Sequence, residues 1–155
     1  MTTIAASFTH KQIAADSKCS TDRVHFQIDK LKELSDGSIF GAAGDQGLIL
    51  KLYKFLYEGG EQLEAEAELD VLQLTHSGLC LFDTRTAQFY QIRSKFYAIG
   101  SGAEFALAAM SLGATPLQAI ECAAKFDPDT GHPIDVMTLK RRKNGNSAWR
   151  TNRSS

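Results

Sequence analysis

Thr2 carries a nucleophile and, if Met1 is removed, a base on the same residue. Thr2-Thr3-Ile4-Ala5-Ala6-Ser7 reads as a short strand directly after Met1. Loss of Met1 would leave a threonine with a free α-amino group. The hydroxyl can then attack a carbonyl while the amine, a few ångströms away, takes its proton. An α-amine suits that task because its reference pKa, about 7.7–8.0, lies near working pH. The small Thr2 favours ordinary methionine removal, and no longer propeptide is expected. Met-Thr-Thr is also an ordinary way for a chain to begin, so the weight rests on the other residues of the chain.

A terminal nucleophile works only if a fold holds it. Residues 2–8 and 12–17 run apolar or alternate around Thr9-His10-Lys11, which predicts a hairpin. Arg23-Val24-His25-Phe26-Gln27-Ile28-Asp29 alternates and predicts a strand with one buried face. Parity puts Lys30 in the next place on the face of Val24, Phe26 and Ile28. If the strand stops at Ile28, Lys30 lies instead in a solvated segment with Asp29, Lys32 and Glu33. Ile39–Ala43 reads as a short buried strand after the Asp36-Gly37 turn. Gly44 opens a helix over 45–57 with Leu48, Leu52 and Leu56 on one face, ended by Gly59-Gly60. The acidic stretch 61–68 fits a loop or a short helix. Strands follow at 69–75, 79–82, 88–92 and 96–99. An alanine-rich helix follows Gly100-Ser101-Gly102. Thr115-Pro116-Leu117-Gln118 has the cap, proline and glutamine of a helix start, and that helix turns Leu117, Ile120, Ala123 and Ala124 inward. Ile134–Leu139 closes the chain as a strand.

The 155 residues, 43% apolar and 23% charged, suit one soluble domain over 1–139. No apolar run reaches the ~18 residues of a membrane span, and no signal peptide is visible. A cytoplasmic location is expected. Cys19, Cys80 and Cys122 fit no metal pattern and read as reduced thiols. No cofactor or metal is expected. Residues 140–155 hold six cations and no acid, so the rest of the chain sums to −7 against a net charge of −1. This basic tail is expected to be disordered. It lacks interleaved aromatics apart from Trp149, so it reads as a solvated segment, and nucleic acid is not expected as a partner.

Six segments in order resemble a proteasome-type N-terminal nucleophile hydrolase. They are Thr2-Thr3-Ile4-Ala5-Ala6, Ile13-Ala14-Ala15-Asp16-Ser17, Ile28-Asp29-Lys30-Leu31, Ala42-Ala43-Gly44, Tyr97-Ala98-Ile99-Gly100-Ser101-Gly102 and Asp127-Pro128-Asp129-Thr130-Gly131. The first looks like the mature N-terminus of HslV and proteasome β subunits. Small relatives of this kind are found in bacteriophages and prophages. The resemblance covers residues 2–139 and implies a four-layer αββα sandwich of antiparallel sheets. The 45–57 helix would lie on one face, with helices at 102–112 and 115–126 on the other.

The resemblance also assigns roles. Thr2 would be the nucleophile, Lys30 the positive charge beside it, and Asp16 the partner of Lys30. The Gly44 N–H would receive the oxyanion, and Ser101, Asp127 and Thr130 would orient the amine and the water. Each has a plainer reading: Asp16 as a turn start, Gly44 as a helix boundary, Ser101 as a helix cap. Ala42, two before the glycine, would line the pocket for the side chain before the cut; its methyl group implies sizeable apolar residues there. The implied activity is threonine-type hydrolysis of peptides or unfolded protein in a homo-oligomeric ring. A separate ATP-dependent unfoldase would feed folded substrates, since no Gly-x-x-x-x-Gly-Lys pattern occurs in this chain. Other readings are a small-molecule amidase of the same fold and a non-catalytic phage assembly protein. One departure stands out. The family places two long helices after the oxyanion segment, whereas only the first is legible here, which bears on ring stacking.

Overall fold

A computed structural model describes residues 1–20 and 23–141. The tail expected over 140–155 therefore lies, from residue 142 on, outside the described residues. In chain order the elements are β1 (Thr3–Ser7), β2 (Gln12–Asp16), β3 (Lys18–Ser20), β4 (His25–Gln27), β5 (Leu31–Glu33), β6 (Ile39–Gly44), α1 (Gln46–Glu58), β7 (Leu69–Thr75), β8 (Gly78–Asp83), β9 (Gln88–Ile92), β10 (Phe96–Gly100), α2 (Ala103–Ser111), α3 (Pro116–Phe126) and β11 (Ile134–Thr138).

β1 and β2 form the expected hairpin at the centre of a four-stranded antiparallel sheet, ordered β10-β1-β2-β11. Both strands are apolar on both faces because both faces are covered. One face carries Ile4 and Ile13, packed against Ile39, Leu72, Leu74 and Leu79 of a five-stranded sheet ordered β5-β6-β7-β8-β9. The other face carries the small side chains of Ala5, Ala14 and Ala98. These let α2 and α3 approach closely through Ala106, Met110, Ala119 and Ile120. On the outside of the second sheet, Ile49 and Leu52 of α1 pack on Phe40, Ala42, Leu69 and Val71. The result is the four-layer αββα sandwich, with α1 on one face and α2 and α3 on the other.

Helix ends follow local chemistry. Thr115 and Gln118 form a reciprocal capping box at the start of α3. Asp45, rather than Gly44, caps α1: its carboxylate accepts the Leu48 N–H at 3.1 Å. Gly44 is the last residue of β6. Residues 59–68 contain no helix, so the second helix of the family pattern is absent.

Two local expectations need correction. The strand expected over 23–29 shrinks to β4, which pairs only with β3 in a separate two-stranded ribbon. Its apolar alternation marks no buried face, since Val24 is 57% and Phe26 44% exposed. The ribbon belongs to neither of the two large sheets. Leu117 also faces outward, while Pro116, Ala119, Ile120 and Ala123 form the buried stripe of α3. Among the described residues no helix is long and apolar enough to cross a membrane.

Candidate active site

Asp16 ends β2, fully buried. Lys30 lies in the extended link between β4 and β5 and is only 4% exposed. It is thus buried, as the first sequence reading expects and the solvated alternative does not, but it lies off the β4 strand. Its Nζ sits 2.9 Å from Asp16 Oδ1. It also donates to the carbonyls of Lys18 at 2.6 Å and Met1 at 3.0 Å. Three acceptors match the three N–H donors of an ammonium. Asp16 accepts two more bonds, from the Thr3 N–H at 3.0 Å and the Gly131 N–H at 3.2 Å. The carboxylate therefore ties β1, the β2 end, Lys30 and the 127–131 loop into one cluster.

Beside it runs a chain of hydroxyls. Ser101 Oγ and Thr130 Oγ1 both donate to Asp127 Oδ2, at 2.6 and 2.7 Å. Having given its proton to Asp127, Thr130 accepts from Thr3 Oγ1 at 2.7 Å. Thr3 Oγ1 in turn accepts the Gly102 N–H at 2.9 Å. The residue-type reading overlooked Thr3, although the paired threonines at the start were a signal. The Lys18 carbonyl and the Gly131 N–H were invisible to it because they are backbone groups.

Burial pushes the Asp127 carboxyl up. The hydroxyls of Ser101 and Thr130, the Asp129 N–H and the charged amino terminus outweigh burial and hold it below its ordinary 3.8. A lowered folded-state pKa adds stability above the unfolded value, and that stability disappears as pH falls through the folded one. Asp127→Asn is therefore expected to flatten the loss of stability below about pH 4. Denaturation midpoints measured at successive pH values check this; equal slopes for variant and parent would contradict it.

Thr2 opens onto a cleft of about 660 Å³ that is also lined by Met1, Ala43, Gly44, Glu68, Leu69, Asp70, Gly100 and Ser101. Two glycines are required by its walls. Gly100, at φ +97°, carries no Cβ because one would fall on the Thr2 carbonyl oxygen. Gly44, at φ +146°, would place a Cβ 2.9 Å from the Glu68 carbonyl oxygen. The Ser101 N–H donates to the Thr2 carbonyl at 2.9 Å, which pins the Thr2 backbone to the start of the α2 segment.

Thr2, Asp16, Lys30, Gly44, Ser101, Asp127 and Thr130 are thus gathered around one cleft and its walls. Ala42 is not among them. Residues alternate across β6, so Ala43 faces the Thr2 side while Ala42 points to the α1 side, 2% exposed among Phe40, Ile49, Leu52 and Val71. Nor does it line the neighbouring cleft of about 590 Å³ formed by Ser17, Ile28, Lys32, Gln46, Leu50 and Tyr53. Ala42→Phe is therefore expected to overpack this core, at about 1–3 kcal/mol, instead of resizing a substrate pocket. Chemical denaturation checks the stability and a peptide-library profile the preference. An unchanged midpoint with a shifted profile would overturn the placement. Among the described residues no cluster of His, Cys, Asp and Glu could hold a metal ion.

No family model matches the chain, and no curated protein matches it. Solved structures do. The eukaryotic HslV of Trypanosoma brucei superposes with a TM-score of 0.68 at 17% identity, over 90% of this chain and 99% of that one. The chain has the HslV-type fold. BPH of Thiobacillus denitrificans, solved in complex with epoxomicin, matches at 0.63 and 22% identity, over 90% and 100% of the two chains. Anbu, an ancestral β-subunit from Yersinia bercovieri, matches at 0.61 and 11%, over 88% and 80%. Identities this low carry the proteasome-like N-terminal nucleophile fold, while the activity has to be argued from the site.

Proposed function

We propose that this chain is a threonine-type amide hydrolase whose nucleophile is Thr2, exposed by loss of Met1. The observation that carries the reading is the third bond of Lys30. Its ammonium, fixed by Asp16 and the Lys18 carbonyl, gives its remaining proton to the Met1 carbonyl. That carbonyl is covalently bound to the Thr2 nitrogen, and methionine removal deletes it. The freed amine then takes a place beside a buried positive charge, which favours its neutral, proton-accepting form.

The steps follow from this arrangement. Thr2 Oγ attacks the substrate carbonyl and its proton passes to the α-amine, directly or through a water. The Gly44 N–H receives the oxyanion; a donor of this kind contributes about 2.7–4 kcal/mol where measured. Collapse breaks the C–N bond, and the α-ammonium returns the proton to the leaving amine. A water, activated by the same amine, then hydrolyses the ester and frees Thr2. Ser101, Asp127 and Thr130 orient the amine and that water.

The substrates under this reading are peptides or unfolded polypeptide, cut inside a homo-oligomeric ring, with an ATP-dependent unfoldase as a separate partner for folded substrates. Without the second helix, stacking of two rings would need another surface. The test is hydrolysis of an unstructured polypeptide and of short peptide amides by the processed chain. Turnover of both supports the reading. Turnover of small amides alone points to a metabolite amidase of the same fold, and turnover of neither ends the proposal.

A further inference from the structure

We propose that the end of the sandwich opposite Thr2 binds nucleic acid, gripped through its phosphates. β1 runs from the cleft to the Phe8–Lys11 turn, and other segments meet that turn. The Phe8 N–H donates to the Lys95 carbonyl at 2.7 Å, and the Leu139 N–H to the Lys11 carbonyl at 2.9 Å. His76 Nε2 bonds with the Lys140 carbonyl at 2.9 Å. These contacts gather Lys11, Arg93, Lys95, Lys140 and Arg141 on one end of the fold, all exposed.

The cations are arranged rather than scattered. Lys11 and Lys95 both sit over the Phe8 ring, with Nζ 3.2 and 5.1 Å from its centroid. The ring's electron-rich π-system attracts both ammonium groups. Among the described residues the ion pairs are Lys30–Asp16 and Arg85–Asp83, so none of these five cations has a carboxylate partner. Asp36, which shares this end with His76, is engaged by the N–H and hydroxyl of Ser38, at 2.9 and 2.6 Å. Beside Phe8, Arg93 and Lys95 lies a groove of about 480 Å³ lined by Ser77, Gly78, Gln91 and Ser94. Cations flanked by hydroxyls and amides are the donor set that contacts nucleic-acid phosphates.

The sequence adds further positive charge after this cluster. Arg141 is followed by Arg142, Lys143, Arg150 and Arg153 with no acid, while residues 1–139 are net acidic. The tail alone lacked a reason to prefer nucleic acid; a folded cluster at its root supplies one. A phosphate backbone, with one charge per about 3.4 Å of each strand, can engage several cations of the folded cluster at once.

The test is fluorescence anisotropy with labelled single-stranded and duplex oligonucleotides, titrated with the full chain over a range of salt. Binding that weakens linearly in log–log form is expected. The triple variant Lys11→Ala, Arg93→Ala, Lys95→Ala should shrink the salt slope by about 1 per cation removed. The α1 variant Lys51→Ala, Lys54→Ala should leave the slope unchanged, and matched thermal melts show that both variants are folded. No binding at low salt overturns the proposal. An unchanged slope in the triple variant also overturns it and assigns any binding to the tail. Equal affinity for poly-glutamate would replace nucleic acid by an acidic protein.

Discussion

Thr2→Ala is expected to abolish amide hydrolysis while leaving the fold intact. In the proposed mechanism the side chain supplies the attacking oxygen, and no other residue lining the cleft would combine a hydroxyl with a terminal amine. The backbone of residue 2 keeps its contacts, because the Ser101 N–H holds the Thr2 carbonyl and not the side chain. The sandwich core lies elsewhere, so melting should be unchanged. Thr2→Ser keeps both hydroxyl and amine and should retain part of the turnover. Steady-state hydrolysis by the processed variants is the measurement. A Thr2→Ala protein as active as its parent would remove Thr2 from the mechanism.

Lys30→Ala is expected to lower turnover by on the order of a hundredfold or more, with a smaller effect on substrate binding, because its charge matters most as the alkoxide and oxyanion develop. Asp16→Ala should cost both activity and stability. It strands a buried ammonium, a change that typically costs about 3–5 kcal/mol. It also orphans the Thr3 and Gly131 N–H groups whose bonds Asp16 now accepts. Asp16→Asn removes the charge and turns one acceptor oxygen into an NH2 donor, but its remaining oxygen can still accept from Thr3 and Lys30, so it should unfold less readily than Asp16→Ala while remaining poorly active. Kinetics and denaturation on the same preparations separate these effects. Full activity in Lys30→Ala would show that the pair is only structural.

Much of the fold was legible because its signals are local. The Thr115–Gln118 capping box, the Gly59 stop and the apolar β1–β2 hairpin each depend on a few neighbouring residues. The order of site segments was also readable, and the structure gathers seven of the eight named residues. What failed depended on partners distant in the chain. Alternation in 23–29 looked like a buried strand, but that ribbon belongs to neither of the two large sheets. Lys30 is buried through Asp16, Lys18 and Met1 rather than through strand parity. Ala42 was placed by counting back from Gly44, and the alternation of β6 turns that side chain to the α1 face. Thr3 escaped notice because its hydroxyl gains its place only when Thr130 and Gly102 come to meet it.

In the proposed mechanism the free Thr2 amine and hydroxyl act together beside Lys30. Intact-mass spectrometry paired with peptide hydrolysis tests it most directly, using separated fractions of the protein with and without Met1. Turnover is expected only in the fraction lighter by one methionine residue, since in the other the nitrogen is locked in a peptide bond whose carbonyl occupies Lys30. Equal turnover in the fraction that retains Met1 would contradict it.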